Sequence, residues 1–194
     1  MLQFQRIATV CALAILAGCG GGGGNTLPHT ELPRGVAISP QGGTITLPAI
    51  SGYTGTLTYP ANDAAANASL SVASTTQTGT PLPGTWSNLW LNNPLVSYIL
   101  VPSSTVTFNG PFTLTVNLGT HMPPVTMGAG TVDFSVSGFD LTAQRDVLSG
   151  SAFYPRDISG TTVTFSVQET YGGPLTLTAA HTYQFVINYL YTSP

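Results

Sequence analysis

Apolar residues alternate with threonine or serine along most of this chain, and this alternation restricts its fold more than any other feature. In one example, Ile45 and Leu47 alternate with Thr44 and Thr46. Because successive side chains of a strand point to opposite faces of a sheet, such a segment predicts a strand with one face on a core and one in water. The same pattern recurs in residues 56–59, 69–72, 112–118, 132–137 and 162–167.

Two further segments are apolar on both faces. They are Leu95–Val101 and Tyr183–Leu190. A strand that is apolar on both faces has no side suited to water, so both segments are predicted to be central strands, or strands covered on their outer side by a loop. No helical period of useful length occurs anywhere in the chain, and the sequence therefore predicts an all-β protein.

Asn109-Gly110 is the strongest turn signal between the predicted strands. Asn-Gly is the pair that two-residue hairpin loops prefer. It predicts a hairpin between residues 106–108 and the strand that begins at Phe112, although Pro111 argues against a simple two-residue loop.

About ten short strands separated by frequent turns predict one antiparallel β-sandwich, of the immunoglobulin-like or jelly-roll type. The alternation begins at Val36, so the sandwich is predicted to span residues 36–194. One domain is the natural size for a segment of this length.

The amino-terminal residues have the pattern of an export signal. Arg6 supplies one positive charge, and residues 7–17 are apolar except for Thr9. This apolar run suits the core of a secretory signal and is too short to span a bilayer. It ends in Leu16-Ala17-Gly18-Cys19, which resembles the lipobox of bacterial lipoproteins.

The resemblance to lipoproteins implies that residues 1–18 are a signal peptide, that the chain is cleaved after Gly18, and that Cys19 carries a thioether-linked diacylglycerol and an acylated amino terminus. Several acyl chains on one residue hold a protein on a membrane without a transmembrane helix. Gly20 stands where an aspartate tends to retain such proteins at the inner membrane of Gram-negative bacteria. The expected location is therefore the outer membrane or the cell surface.

Five glycines, Gly20–Gly24, follow the lipobox, and no apolar period is visible before Gly35. Residues 19–35 are therefore predicted to be a lipidated, flexible tether. About 15 residues of flexible coil reach roughly 20 Å, which would hold the domain just clear of the membrane surface.

Four stretches resemble small, threonine-rich secreted or lipoprotein β-sandwich proteins of environmental bacteria. The matching stretches are residues 45–48, 52–62, 104–108 and 175–183. The resemblance implies a single sandwich domain and carries neither an activity nor site residues.

Charge and cysteine content exclude several classes of function. The formal net charge is −3, and the only basic side chains after residue 18 are Arg34, Arg145 and Arg156. A nucleic-acid-binding protein shows a basic stripe, and none is present. Once Cys11 leaves with the signal and Cys19 is lipidated, no thiol is left for catalysis, metal binding or a disulfide.

The three histidines do not predict a metal site. Zinc requires three or four converging ligands, and the spacing of His29, His121 and His181 does not bring them together. His29 lies in the predicted tether, and the other two are predicted to be loop residues. The Gly-x-Ser-x-Gly motif of serine hydrolases is also absent.

Asp140 and Asp146 form the one acidic pair that merits a test. Carboxylate oxygens bind calcium, and two carboxylates perform acid–base chemistry in glycosidases. No Asp-x-Asp-x-Asp-Gly run accompanies the pair, and the sequence around it does not indicate an aromatic cleft. The segment is therefore predicted to be a solvated loop in which Arg145 pairs with a neighbouring acid, and the sequence predicts no metal, cofactor or catalytic residue.

Both tryptophans of the chain, Trp86 and Trp90, lie in a connection rich in proline and asparagine. Flat indole faces with Asn88 and Asn92 beside them would suit a sugar-binding platform. The alternative is that the indoles plug one end of the sandwich, since large aromatic residues are highly buried on average. The expected function is accordingly a lipid-anchored, non-catalytic structural or interaction module of the cell envelope, with a carbohydrate-binding module as the alternative and a glycan or an envelope protein as the partner.

Overall fold

The structure, a computed structural model, describes residues 35–76, 94–123, 126–127, 130–148, 155–167 and 173–192. Its strands are β1 (Val36–Ala37), β2 (Gly43–Ile50), β3 (Tyr53–Tyr59), β4 (Ser69–Thr75), β5 (Pro94–Pro102), β6 (Val106–Thr107), β7 (Phe112–Asn117), β8 (Thr126–Met127), β9 (Gly130–Asp140), β10 (Arg145–Asp146), β11 (Pro155–Ser159), β12 (Thr162–Val167), β13 (Thr176–Leu177) and β14 (Tyr183–Thr192). The one helical element described is a 3-10 turn, Gly119–His121. No helix in the described ranges has the length and apolar character of a membrane span.

The strands form two large antiparallel sheets and one small one. The larger sheet has seven strands in the order β1-β4-β5-β14-β9-β10, with β8 also paired to β9. The second sheet has five strands in the order β11-β12-β7-β3-β2, and β6 pairs with β13 alone. The two large sheets pack face to face, which confirms the predicted β-sandwich.

The two segments that are apolar on both faces became the central strands of the larger sheet, as predicted. β5 and β14 are neighbours in the middle of that sheet and pair in antiparallel register, for example Phe185 with Tyr98. β14 also pairs with β9 along its whole length. Its central position explains why both of its faces are free of charge.

The core lies between the two sheets and is built from the apolar positions of the alternating segments. Val116 and Phe165 of the five-stranded sheet and Val96 and Ile187 of the seven-stranded sheet are fully buried there. The described strands number fourteen, against the ten or so expected, because five of them are only two residues long.

The predicted hairpin at Asn109-Gly110 is wrong. β6 pairs with β13, and β7 pairs with β12 and β3, so the two segments flanking the turn do not pair with each other. The Phe108 N–H donates to the Leu175 carbonyl instead, and the Phe108 ring packs edge-on against Phe112 at 4.4 Å. Burial of these two rings in the core, together with the missing N–H of Pro111, makes the chain cross between sheets at this turn.

Two glycines allow close approach inside the sandwich. A Cβ at Gly55 would lie 2.6 Å from the Thr115 carbonyl oxygen and 3.4 Å from the Tyr98 hydroxyl oxygen. A Cβ at Gly138 would enter the space of the Leu148 side chain and lie 2.9 Å from Phe185 Cε1. Any larger residue at either position would overpack the core.

We expect Gly138→Ala to lower the free energy of unfolding by about 1–3 kcal/mol, the usual effect of overpacking. Chemical denaturation would measure it. Leu148→Ala should be destabilising by itself, because it leaves a cavity. The double variant should lose less stability than the sum of the two single losses, because the new methyl group fills part of that cavity.

Gly110→Ala is the matched control for this prediction, because a Cβ there meets nothing closer than Pro60 atoms at 3.8 Å. It should change stability little. Strictly additive losses for Gly138→Ala and Leu148→Ala would contradict the close contact between these two residues.

Candidate functional site

The residues to which the sequence assigns a possible site lie outside the described ranges. Cys19, the predicted lipidation site, precedes the first described residue, Gly35. Trp86, Asn88, Trp90 and Asn92 fall within residues 77–93, between β4 and β5. Lipidation and the indole platform therefore stay predictions.

The outer face of the five-stranded sheet carries an ordered set of uncharged polar side chains, which we call the threonine face. Because the strands pair in register, these side chains line up in three ranks across the sheet. The ranks are Thr44-Thr58-Thr113-Ser166, Thr46-Thr56-Thr115-Thr164 and Thr54-Asn117-Thr162. All eleven side chains are exposed or partly exposed, and none is charged.

Sheet geometry fixes the spacing of the threonine face. Neighbouring strands lie ~4.8 Å apart, and outward-facing residues of one strand lie ~6.7 Å apart. Four strands and three ranks thus give a patch of roughly 14 Å by 13 Å. Nine of its eleven residues are threonine, so the patch presents methyl groups as well as hydrogen-bonding groups.

Some hydroxyl groups of the threonine face bond to one another across the strands. Thr44 Oγ1 lies 3.0 Å from Thr58 Oγ1, and Thr115 Oγ1 lies 3.4 Å from Thr164 Oγ1. A hydroxyl group has one hydrogen to donate and two lone pairs to accept with. Each pair consequently keeps hydrogen-bonding capacity for a ligand or for water.

One end of the threonine face contains a shallow, open depression of about 320 Å³. It is lined by Thr46, Thr54, Gly55, Thr56, Thr115, Asn117 and Thr162. The Ser74 hydroxyl donates to the Pro48 carbonyl at 2.8 Å, so the end of β4 lies close to the strand that carries Thr46. The lining offers hydroxyl, amide and methyl groups and no ionisable side chain.

A second polar cluster surrounds Asp140 at the end of β9. Its side chain is fully buried and accepts hydrogen bonds from the Thr142 N–H at 3.1 Å and the Ala143 N–H at 2.9 Å. His181 Nδ1 lies 2.8 Å from Asp140 Oδ2, and Arg145 Nε lies 3.9 Å from the same oxygen. Asp140 thus links the β9–β10 turn, through its bonds to the N–H groups of Thr142 and Ala143, to His181 at the start of β14.

Hydrogen bonding stabilises the ionised form of Asp140. Burial acts in the opposite direction and would raise the pKa of this carboxyl group. The Ala143 N–H, His181 and the Thr142 N–H together outweigh burial and leave the pKa below its ordinary value. The carboxylate is therefore ionised at neutral pH and committed to these partners.

The expected pairing of Arg145 with a neighbouring acid is confirmed, since it faces Asp140, but the loop is not simply solvated because Asp140 is buried. Asp146 is largely exposed, but neighbouring protein atoms partly desolvate its carboxyl group and raise the pKa of that group. No group of three or more His, Cys, Asp or Glu side chains in the described ranges is arranged to hold a metal ion.

His121 and His181 both lie in connections, as predicted, and both have structural partners. His121 Nε2 lies 2.7 Å from the Ser51 carbonyl oxygen, and its ring stacks on Tyr53 at 4.7 Å. This contact ties the 3-10 turn to the β2–β3 turn. The His121 ring is therefore engaged in stacking on Tyr53 and in a hydrogen bond with a backbone oxygen.

Comparison of the chain with protein-family models, with curated proteins and with solved structures found no match.

We expect Asp140→Asn to lower the free energy of unfolding by about 1–3 kcal/mol at neutral pH, because it weakens charge-assisted hydrogen bonds in a buried place. The effect should depend on pH. Since folding lowers the pKa of Asp140 below its ordinary value, the carboxylate contributes its full stabilisation above that ordinary pKa and loses it as the pH falls through the lowered pKa. Unfolding curves over the acid range should show a flatter loss of stability for Asp140→Asn than for the unsubstituted protein.

Asp146→Asn is the control on the same turn. Folding raises the pKa of Asp146, so its ionised form disfavours the fold and its replacement should cost little stability. If Asp140→Asn lost stability with falling pH as steeply as the unsubstituted protein, the assignment of this pH dependence to Asp140 would be contradicted.

Proposed function

We propose that the protein is a lipid-anchored, non-catalytic module of the cell envelope that contacts an uncharged, hydroxyl-rich partner through its threonine face. The partner class that best matches this chemistry is a neutral envelope glycan. The main observation in favour of this contact is that the threonine face presents hydroxyl and methyl groups and no charged side chain.

Anchoring is supported by the sequence alone. Leu16-Ala17-Gly18-Cys19 directly follows an apolar run of signal-peptide length. The first described strand, β1, begins at Val36, so residues 20–34 separate the lipidated cysteine from the domain. This tether joins at the edge of the seven-stranded sheet, and the threonine face on the other sheet stays open.

Binding to a neutral glycan is supported by the chemistry of the threonine face. A sugar ring presents hydroxyl groups that donate and accept, with C–H groups between them. Threonine offers the same combination of polar and apolar groups. The depression around Thr54 and Asn117 could bind such a sugar ring. A charged ligand would find no counter-charge among the eleven side chains of the ranks.

A non-catalytic role is supported by the partners of the ionisable groups that are buried or partly buried. Asp140 and His181 bind each other, and Asp140 also accepts from backbone N–H groups. The hydroxyl group of Tyr98 is buried and lacks a hydrogen-bond partner. Burial is the main cause that raises the pKa of Tyr98, and the nearby Tyr53 adds to it, so the phenol stays protonated. Because it is buried, a substrate does not reach it.

We expect mass spectrometry of the mature protein to find an acylated amino terminus at Cys19. Cys19→Ala should block processing or release the protein from the membrane fraction, because the acyl chains supply the membrane affinity. An unmodified terminus that begins elsewhere would contradict the anchor and leave the proposal for the threonine face intact.

We expect the triple variant Thr46→Val, Thr54→Val and Thr115→Val to lose retention on insoluble neutral glycans such as cellulose or chitin. Valine keeps the shape and strand preference of threonine and removes only the hydroxyl group. A hydrogen bond contributes about 0.5–1.5 kcal/mol, so each lost contact should weaken binding by roughly two- to tenfold. Co-sedimentation with the suspended glycan measures this.

Thr120→Val with Thr178→Val is the matched control, since both residues lie outside the three ranks. Its retention should equal that of the unsubstituted protein. If no neutral glycan retains the protein, or if the triple variant binds as well as the control, the threonine face is not the contact surface.

A further inference from the structure

Asn117 differs in chemistry from the other residues that line the depression on the threonine face. It is the last residue of β7 and lies in one rank with Thr54 of β3 and Thr162 of β12. The other lining residues are threonines and Gly55, so Asn117 contributes the amide group of the lining. An amide offers N–H donors, which a threonine side chain does not have.

Two hydrogen bonds fix the direction in which the Asn117 amide faces. The Gly119 N–H donates to Asn117 Oδ1 at 2.9 Å, and Thr161 Oγ1 donates to the same oxygen at 2.9 Å. A backbone N–H can only donate, so the amide atom that faces Gly119 must be the oxygen. Both lone pairs of Oδ1 are then used, and Nδ2 makes no hydrogen bond to a described residue. Asn117 is exposed, and toward a ligand it therefore acts only as a donor.

The depression has walls of rank side chains and a floor of backbone. Gly55, which belongs to its lining, pairs with Val116, and the Val116 side chain is buried in the core. The outward residues on either side of this pair belong to two ranks that lie ~6.7 Å apart. The volume of about 320 Å³ is near the lower end of the range for small-molecule sites, roughly 300–1,000 Å³. It suits one substituted sugar unit of a glycan and not a long segment.

We propose that the depression binds the acetamido group of an N-acetylated amino sugar. Asn117 Nδ2 donates to the acetamido carbonyl oxygen, and a threonine hydroxyl group accepts from the acetamido N–H. The acetamido methyl group packs on threonine methyl groups and on the backbone of Gly55. This inference rests on the proposed function and names the class of sugar that the threonine face prefers.

An acetamido group matches the depression more completely than a sugar hydroxyl group does. Its carbonyl oxygen only accepts, and the free end of the Asn117 amide only donates. A hydroxyl group can also accept from Nδ2, but its own hydrogen then needs a further acceptor, and it brings no methyl group. Threonine supplies both an acceptor for the acetamido N–H and an apolar surface for the methyl group. All three parts of the acetamido group thus find a counterpart in one place.

The neutral lining also favours the acetylated sugar over its deacetylated form. A free amino sugar carries an ammonium group, which is a donor only and would face the N–H groups of Asn117. The seven residues of the lining include no carboxylate to balance its charge. Acetylation removes the charge and supplies the carbonyl acceptor.

Two oligosaccharides of equal length test the preference. Oligomers of N-acetylglucosamine and of glucose share the same β-1,4-linked backbone and differ at the second carbon, which carries an acetamido or a hydroxyl group. In calorimetric titration of the full mature protein, we expect the N-acetylated oligomer to bind roughly two- to tenfold more tightly, the effect of one satisfied hydrogen bond. Equal affinities would overturn this inference and leave the proposed function intact, whereas binding of neither oligomer and of no insoluble glycan would overturn both.

Asn117→Asp isolates the role of the amide. Aspartate keeps an oxygen for the bonds from Gly119 and Thr161 and replaces Nδ2 by an oxygen that cannot donate. Affinity for the N-acetylated oligomer should fall by roughly tenfold, because two acceptors then face each other. Affinity for the glucose oligomer should fall less, since a sugar hydroxyl group can donate to the new carboxylate.

Asn67→Asp is the matched control, because it makes the same change at an exposed turn residue outside the threonine face. It should keep the preference for the N-acetylated oligomer. If Asn117→Asp also keeps it, or loses affinity for both oligomers equally, Asn117 does not bind the acetamido group. If this variant does not fold, the comparison of the two oligomers on the unsubstituted protein decides.

N-acetylated amino sugars reach an envelope protein from two sources, the peptidoglycan of its own cell and chitin from outside. Co-sedimentation with purified peptidoglycan and with chitin distinguishes these sources, with cellulose as the reference. Stronger retention on either polymer than on cellulose supports the inference and identifies the source. Retention on cellulose that equals or exceeds retention on both would overturn it.

Discussion

Burial of one apolar face from each sheet is the interaction on which the rest of this structure depends. Charged residues make up only 6% of the chain, so salt bridges contribute little to its stability. The alternation that places Leu114 and Val116 in the core places Thr113 and Thr115 outside. One sequence pattern therefore generates both the core and an uncharged surface, and the proposed contact face is the reverse side of the packing that holds the domain together.

The sequence predicted the strands well where their pattern was long enough to show a period. β2, β7 and β12 lie where the alternation indicated, and β5 and β14 are central because neither face of these segments suits water. Two-residue strands such as β6 are too short to show any period. The hairpin predicted at Asn109-Gly110 did not form because turn preferences are local. Which strands the flanking residues pair with is decided instead by where Phe108 and Phe112 are buried.

The site residues were harder to predict because their neighbours come from distant parts of the chain. The alternation shows that Thr115 faces outward, but only the register of three strands places it between Thr56 and Thr164. Asp140 and His181 are 41 residues apart and meet because β9 and β14 are adjacent in the sheet. No spacing rule within a single segment contains this information.

β14 has a consequence for the order in which the domain is built. It is the last strand described, yet it lies between β5 and β9 and satisfies the backbone groups of both. While a chain is synthesised from its amino terminus onward, β5 and β9 are made before their shared neighbour is. The larger sheet therefore cannot close until almost all of the described chain is available, which makes the insertion of β14 between β5 and β9 a late step of folding.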